Sequence, residues 1–405
     1  MGGTCPGHDL DELQSTQRAG DRPTGPHDEN FSAVFQYEGW AKMLAALESA
    51  PSRNITLTSA DLPEEFRTEH RDLIMAALQK NLTVRSLTLG DISSQWMRAM
   101  TECLSATPHI TELRFMGSRV DDTLAKILGI QLQPIWVSPP TLQSLVVANP
   151  RKNALTDRGA MALVQPLEDN RCLRTLVLFG TFVGDSTARA VVAALATNAS
   201  LEVLVLYGKA LGKRGLQSFT HWVEQGKLTL KELVIGGSDF NDEDAEAFAH
   251  ALTRRFSVEI NPKLQSLGLL NVLLGDTAAT ALADVVHAGL SEVNILAGQV
   301  SSHGAEVLAQ AVVQARQMLT SFSLASSKVD NDGLAAFQSV WSEGSSTLSL
   351  ELAFGGSSED SCSDFMAKAP ATDVKKRRIY ATRGVSEYLE EILFPRLMLR
   401  TGRGT

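Results

Sequence analysis

The feature that most constrains this chain is a short phrase, Leu-x-x-Leu-x-Leu, which recurs along most of its length. Residues 173–178, 201–206 and 230–235 are nearly identical copies, with Ile closing the third. Together with less regular copies, the phrases start at residues 52, 84, 110, 142, 173, 201, 230, 264, 290, 319 and 347. A period of about 30 residues predicts a solenoid, in which one structural unit is stacked many times.

Each unit combines three patterns. The fourth and sixth positions of the phrase are apolar, and this period of two indicates a strand with one buried face. Asp or Asn then begins a helical pattern, as at Gly184-Asp185 and Asn241-Asp242, where it can cap the first turn. A further apolar residue stands between strand and helix, ten residues after the start of the phrase; it is Leu62, Val120, Val183, Leu211, Phe240, Leu274, Val300 or Val329.

This strand, turn and helix unit resembles the ribonuclease-inhibitor-like class of leucine-rich repeats over about residues 52–357. The resemblance implies an α/β fold: a leucine-rich-repeat solenoid, or horseshoe, with a concave parallel sheet, convex helices and about 11 repeats. That class usually carries Asn or Cys at the ninth position of each repeat, where the side chain bonds to the turn. Here Ser118, Thr181, Lys209, Ser238, Gly298 and Ser327 stand at that position, and the hydroxyls among them can satisfy some turn backbone groups more weakly.

The pattern divides the chain into four regions. Residues 1–34, with few large apolar side chains, predict a disordered leader. Residues 35–51 predict a helix that caps the open N-terminal end of the stack, and 52–357 the repeat domain. Residues 358–405 predict a linker and a basic C-terminal tail or cap. Three interpretations of this tail stay open: a cap, a disordered segment with a short binding helix, or an address, nuclear or for an anionic surface, through Lys375–Arg378.

Composition and motifs exclude several kinds of function. A formal net charge of −9 argues against a protein whose whole surface binds nucleic acid. No apolar run is long enough to predict a membrane span. The eight His and four Cys lack metal-ligand spacing, and no phosphate-binding loop or nucleophile motif is present. We therefore expect no enzyme activity, cofactor or metal, and the widely separated Cys predict reduced thiols and a cytoplasmic location.

The third, fifth and seventh positions of each phrase point away from the helices, into the hollow of the horseshoe. In the middle repeats they are strongly apolar, and Phe179 and Tyr207 would be aromatic anchors on adjacent repeats. Two interpretations stay open: an exposed patch that binds a protein partner, or a patch buried by tight curvature or by the chain's own tail, through 392–394. The predicted partner-binding residues are Arg114, Val146, Val177, Phe179, Val205, Tyr207, Glu232, Val234, Leu270, Asn294 and Leu296.

Our first functional hypothesis is a non-catalytic protein-interaction scaffold. The alternative is a secreted bacterial effector, acting in the host cytoplasm, or a ubiquitin-ligase substrate adaptor. The leader and the Ala-rich repeats permit this alternative, although no F-box or ligase domain is visible. A second alternative is a GTPase-activating protein of the Ran class, which has a similar solenoid. That family carries an acidic tail, whereas residues 371–405 here hold eight Lys or Arg against four Asp or Glu.

Overall fold

A computed structural model describes residues 40–59, 61–62, 67–134, 141–148, 154–226, 228–259, 262–271, 273–338, 340, 348–355 and 377–380. Strands and helices alternate along the chain. The strands are β1 Asn54–Thr58, β2 Ser86–Gly90, β3 Glu112–Met116, β4 Ser144–Ala148, β5 Thr175–Gly184, β6 Val203–Ala210, β7 Glu232–Gly236, β8 Ser266–Asn271, β9 Glu292–Ala297, β10 Ser321–Ser326, β11 Ser349–Phe354 and β12 Arg377–Tyr380. The helices are α1 Trp40–Ser49, α2 Thr68–Lys80, α3 Ser94–Glu102, α4 Asp122–Leu132, α5 Asp157–Val164, α6 Asp185–Leu195, α7 Lys213–Glu224, α8 Asp242–Val258, α9 Asp276–His287, α10 Ser302–Ala315 and α11 Asn331–Ala336.

The strands form one parallel sheet, in which β1 to β12 lie side by side in sequence order. The first eleven strands all begin at the third position of their phrase, two residues after the predicted start. Equivalent positions lie in register: Val177 of β5 aligns with Val146 of β4 and with Val205 of β6. The α/β solenoid predicted from the repeat is therefore confirmed.

The main hydrophobic core lies between the sheet and the helices. It combines the residues at the fourth and sixth positions of the phrase, such as Leu176 and Leu178, with the inner faces of the helices, such as Ala188 and Val191 of α6. The apolar residue ten places after each phrase start is buried in all eight repeats that carry one. One unit cannot cover its own apolar face, so each repeat depends on its neighbours for this core.

Helix α1 packs against α2 at the N-terminal end of the stack. Met43 and Leu47 of α1 are fully buried. The Asn81 side chain, just after α2, donates hydrogen bonds to the carbonyl oxygens of Leu47 (2.7 Å) and Ala50 (3.0 Å). The described part of the predicted 35–51 cap is thus a helix at the first repeat.

The Asp and Asn residues at the helix starts have two roles, and the sequence predicted only one of them. Asn241 and Asp330 cap their own helices, as predicted. Asp185 is instead the first residue of α6, and its Oδ1 accepts hydrogen bonds from the amides of Gly212 (2.9 Å) and Gly215 (2.8 Å) in the next repeat. Glycine at the N-cap has no side chain to accept these bonds, so the preceding repeat supplies the acceptor.

A hydrogen bond of this kind, in which a helix-start carboxylate of one repeat accepts from the next repeat, is here called a carboxylate staple, and it recurs along the stack. At five steps an Asp at the start of one helix accepts a bond from the N-cap amide of the next helix. The pairs are Asp122 with Thr156, Asp157 with Gly184, Asp185 with Gly212, Asp242 with Gly275, and Asp276 with Ser301. Neighbouring repeats are therefore joined by charge-assisted hydrogen bonds as well as by the core.

Hydroxyls at the ninth position also join adjacent repeats. Ser238 Oγ donates to the Lys209 carbonyl oxygen (2.6 Å), and Ser327 Oγ donates to that of Gly298 (2.9 Å). Each bond spans one repeat. The hydroxyls therefore satisfy turn carbonyls, as the sequence predicts.

The twelfth strand comes from the region predicted as tail or cap. β12 pairs with β11 in parallel, and Ile379 aligns with Leu352. The leader at 1–34, the linker at 358–376, Lys375 and Lys376, and the 392–394 segment lie outside the described residues. The limits of the four predicted regions stay predictions.

Candidate protein-interaction surface

The candidate surface is the concave face, formed by the residues at the third, fifth and seventh positions of each phrase. Parallel register arranges each of these positions as a row across the sheet. Within the fifth-position row, Val146, Val177, Val205 and Val234 are consecutive neighbours on β4 to β7. The fold thus brings together side chains about 30 residues apart in sequence.

The apolar side chains of this face form a second buried cluster, separate from the main core. Strand residues alone build it, with no contribution from any described helix. Its members, here called the concave cluster, are Val146, Ala148, Val177, Phe179, Val205, Val234, Leu270, Leu296, Ala325 and Ala353, each at most 1 % exposed. The predicted apolar patch is therefore continuous, and it is buried rather than exposed in the full chain.

Phe179 of this cluster stacks on Tyr207 of the next strand. Their ring centroids are 4.8 Å apart and their planes differ by 22°. Phe179 is fully buried and Tyr207 partly buried. Gly236, the next residue of the seventh-position row, leaves room for the Tyr207 ring, because a Cβ there would collide with it. The two predicted anchors thus form one aromatic pair.

Charged side chains on the concave face are mostly acidic. Among the described strands β1 to β11, the third, fifth and seventh positions carry four carboxylates and one cation. The cation, Arg114, pairs with Glu112 at 3.4 Å (Nη2 to Oε2). The other carboxylates belong to Glu232, Glu292 and Glu351, all of which make further interactions. The apolar cluster therefore lies among negative charges.

Burial of the concave face changes between β3 and β4. At the fifth position, Thr56, Thr88 and Arg114 on the first three strands are only partly buried. From β4 to β11, the concave cluster is closed at the fifth or seventh position of every strand. The predicted residues Asn294 and Glu232 also lie on this closed part, and the Asn294 Oδ1 accepts a hydrogen bond from Ser323 Oγ at 2.8 Å.

A charged row borders the start of three strands. Glu202 lies between Arg174 and Lys231, and each cation approaches one of its carboxylate oxygens to 2.6 Å. The hydrogen bond from Lys231, with added attraction from both cations, holds the pKa of Glu202 below its ordinary value. This row links three consecutive repeats at the edge of the concave face.

Sequence reasoning missed the small members of the cluster. Ala148, Ala325 and Ala353 occupy the seventh-position row and are buried with the larger residues. Their signal was the register position alone, because Ala by itself does not indicate a binding surface.

The described residues hold no group of three or more His, Cys, Asp or Glu placed to bind a metal ion. In the same part of the chain, every helix is too short or too polar to cross a membrane.

Comparison with known proteins supports the repeat assignment. A family profile described as Leucine Rich repeat matches residues 226–249, which begin just after α7 and include β7 and the first part of α8. No curated protein matches the chain in sequence. Among solved structures, a chain from a complex of Rad7 and Elc1 in yeast is similar, with a TM-score of 0.53 and 16 % identity. The match covers 85 % of this chain and 78 % of that chain. The sheet, the period and these matches identify the protein as a leucine-rich-repeat solenoid.

Proposed function

We propose that this protein is a non-catalytic interaction scaffold that binds a protein partner through its concave face. One observation carries the proposal: a continuous apolar cluster with a stacked aromatic pair lies on a sheet face to which no described helix contributes. An apolar cluster of this extent, with aromatic anchors, has the composition of sites that bind other proteins once it is uncovered.

The charges around the cluster favour one chemistry in the partner. Glu232 and Glu292 lie on the same face as Val234 and Leu296. A segment with apolar side chains and flanking Lys or Arg would bury its apolar part and complement these carboxylates. We propose such a segment as the recognised element. The neighbouring structure of a complex of Rad7 and Elc1 supports a role for this fold in protein assembly.

Site-specific crosslinking tests the proposal. A photoreactive phenylalanine analogue at Tyr207 reports on the concave face, and one at Arg189, which is exposed on α6, reports on the helix face. We expect a protein crosslinked from position 207 and not from 189. That protein, once purified, should bind the wild-type chain at least tenfold more tightly than a Glu232→Lys/Glu292→Lys variant. Equal crosslinking from both positions, or equal binding to both chains, would contradict the proposal.

The alternatives have no observation of their own in the structure. An effector or ubiquitin-ligase adaptor role and a Ran-class GTPase-activating role stay predictions, as does the cytoplasmic location. Stimulated GTP hydrolysis on adding the purified chain to a GTPase would favour the last of the functional alternatives.

A further inference from the structure

The burial of the concave cluster needs a cover that the repeats do not supply. Curvature brings strand neighbours together laterally, but side chains that stand on a single sheet layer still point into the hollow. Val177, Phe179 and Val205 are nevertheless fully buried. The described helices belong to the main core, so they do not provide this cover.

The extent of the burial shows from which end the cover comes. The closed part runs from β11 back to β4, whereas the first three strands are only partly buried at the fifth position. The first described helix, α1, packs against α2 at the end of the stack that holds β1, and the last described strand, β12, lies beside β11 at the other end. A segment that followed β12 would reach the closed part first. A segment that preceded α1 would have to cross β1 to β3.

The chain beyond β12 is long enough. From β11 to β4 there are seven strand spacings, or about 34 Å. The 12 residues from 392 to 403 span ~40 Å when extended, and the 11 residues from 381 to 391 connect them to β12. In the seventh-position row, the side chains nearest β12 are small, at Ala353 and Ala325, and those farther away are larger, at Leu296 and Leu270. Small side chains at that end leave space for another chain segment.

Charge separates the two terminal segments. Residues 392–403 contain six large apolar side chains and three Arg, and no acidic residue. Residues 1–39 contain seven acidic and two basic residues. The carboxylates of Glu232, Glu292 and Glu351 therefore attract the first segment and repel the second.

We propose that residues 392–403 occupy the concave face of the same chain, with their apolar side chains on the concave cluster and their Arg side chains near the surrounding carboxylates. The occupant is intramolecular, so any protein partner must displace it. The proposal goes beyond the scaffold function and does not depend on it.

A binding measurement with the segment as a free peptide tests this proposal. The probe is a fluorescein-labelled peptide of residues 392–403, and the receptors are the full chain and a chain that ends at Tyr380. We expect the shortened chain to bind the peptide at least tenfold more tightly than the full chain, with affinity that falls as salt is added. Circular dichroism checks that the shortened chain is folded. The second altered receptor is a chain of full length that carries Leu397→Asp and Leu399→Asp, and it should also bind the peptide.

Two control peptides make the result specific. The first carries Leu397→Asp and Leu399→Asp, and we expect it not to bind. The second is the N-terminal segment 28–39, and its binding in place of the 392–403 peptide would overturn the choice of occupant. Equal affinity of the probe for all receptors, or no binding to either altered receptor, would overturn the proposal. Crosslinking of a partner from position 207 is a separate result, so the two proposals can fail independently.

Discussion

The two faces of the sheet bury apolar side chains in different ways. On one face, strand residues meet the inner sides of the helices, and both partners belong to the repeat. On the other, the concave cluster consists of strand residues alone, yet it is equally buried. The described residues of the repeat therefore show how one face is closed, whereas no described helix closes the other.

Phe248→Ala in α8 should have the largest effect and tests the helix face. Phe248 is fully buried in the main core, so removing its ring should lower the free energy of unfolding by about 3–5 kcal/mol. Urea unfolding measures this, and the loss should be the same with and without residues 381–405. Phe182→Ala is the control, since Phe182 is 48 % exposed; a similar loss there would contradict the assignment.

Phe179→Ala should have a smaller effect that depends on the tail. In the full chain, the buried ring and its stacking on Tyr207 should contribute about 3 kcal/mol. In a chain that ends at Tyr380, the ring is partly exposed before mutation, so we expect the loss to fall by about half. Urea unfolding of the four chains measures the difference. An unchanged loss would mean that the sheet closes the concave cluster without a cover.

Asp185→Ala tests the polar links that accompany the helix face. Without this carboxylate, the amides of Gly212 and Gly215 lose their acceptor, and we expect a loss of about 1–2 kcal/mol in thermal or urea unfolding. Asp284→Ala, which removes an exposed carboxylate on α9, should change stability by less than about 0.5 kcal/mol. Equal losses would show that net charge, rather than the staple, accounts for the effect.

Glu202→Gln should have the smallest effect, because the charged row lies outside both clusters. The pKa of Glu202 is lower in the folded chain than its ordinary value of 4.5. Its stabilisation is therefore present above pH 4.5 and is lost as the pH falls through the folded-state pKa. We expect less than about 1 kcal/mol at neutral pH, and wild type and variant should converge in acid. A difference that grows on acidification would contradict this sign.

The period predicted most of the fold, because strand spacing and burial repeat with it. The eleven strands that the period predicts each begin two residues after the start of their phrase. The apolar residue ten places after that start is buried wherever it was identified. The twelfth strand was not predicted, since Arg377–Tyr380 keeps only Ile379 from the apolar pattern. The sequence left three interpretations of this region open, namely a cap, a disordered segment with a binding helix, or an address, and none of them specified a strand.

The candidate site was predictable in position but not in exposure. Register follows from the repeat, so Phe179 and Tyr207 could be placed side by side from sequence. Burial of Phe179 depends on a cover without a repeat pattern, which periodicity cannot reveal. The staples were missed for a similar reason: Asp185 looks like a cap for its own helix, and only the stacking of repeats places it at the next one.

The staples also give the stack a direction. Each carboxylate belongs to the earlier repeat and each amide to the later one. A fragment that ends early leaves a carboxylate in water, where it is well solvated; a fragment that starts late leaves amides at a helix start without their acceptor. During synthesis, the N-terminal repeats emerge first, so each helix that a staple joins to its predecessor meets an acceptor that is already folded. Each folded repeat can thus support the folding of the next. Truncation from the N-terminal side should therefore lower the stability of the remaining stack more than truncation from the C-terminal side.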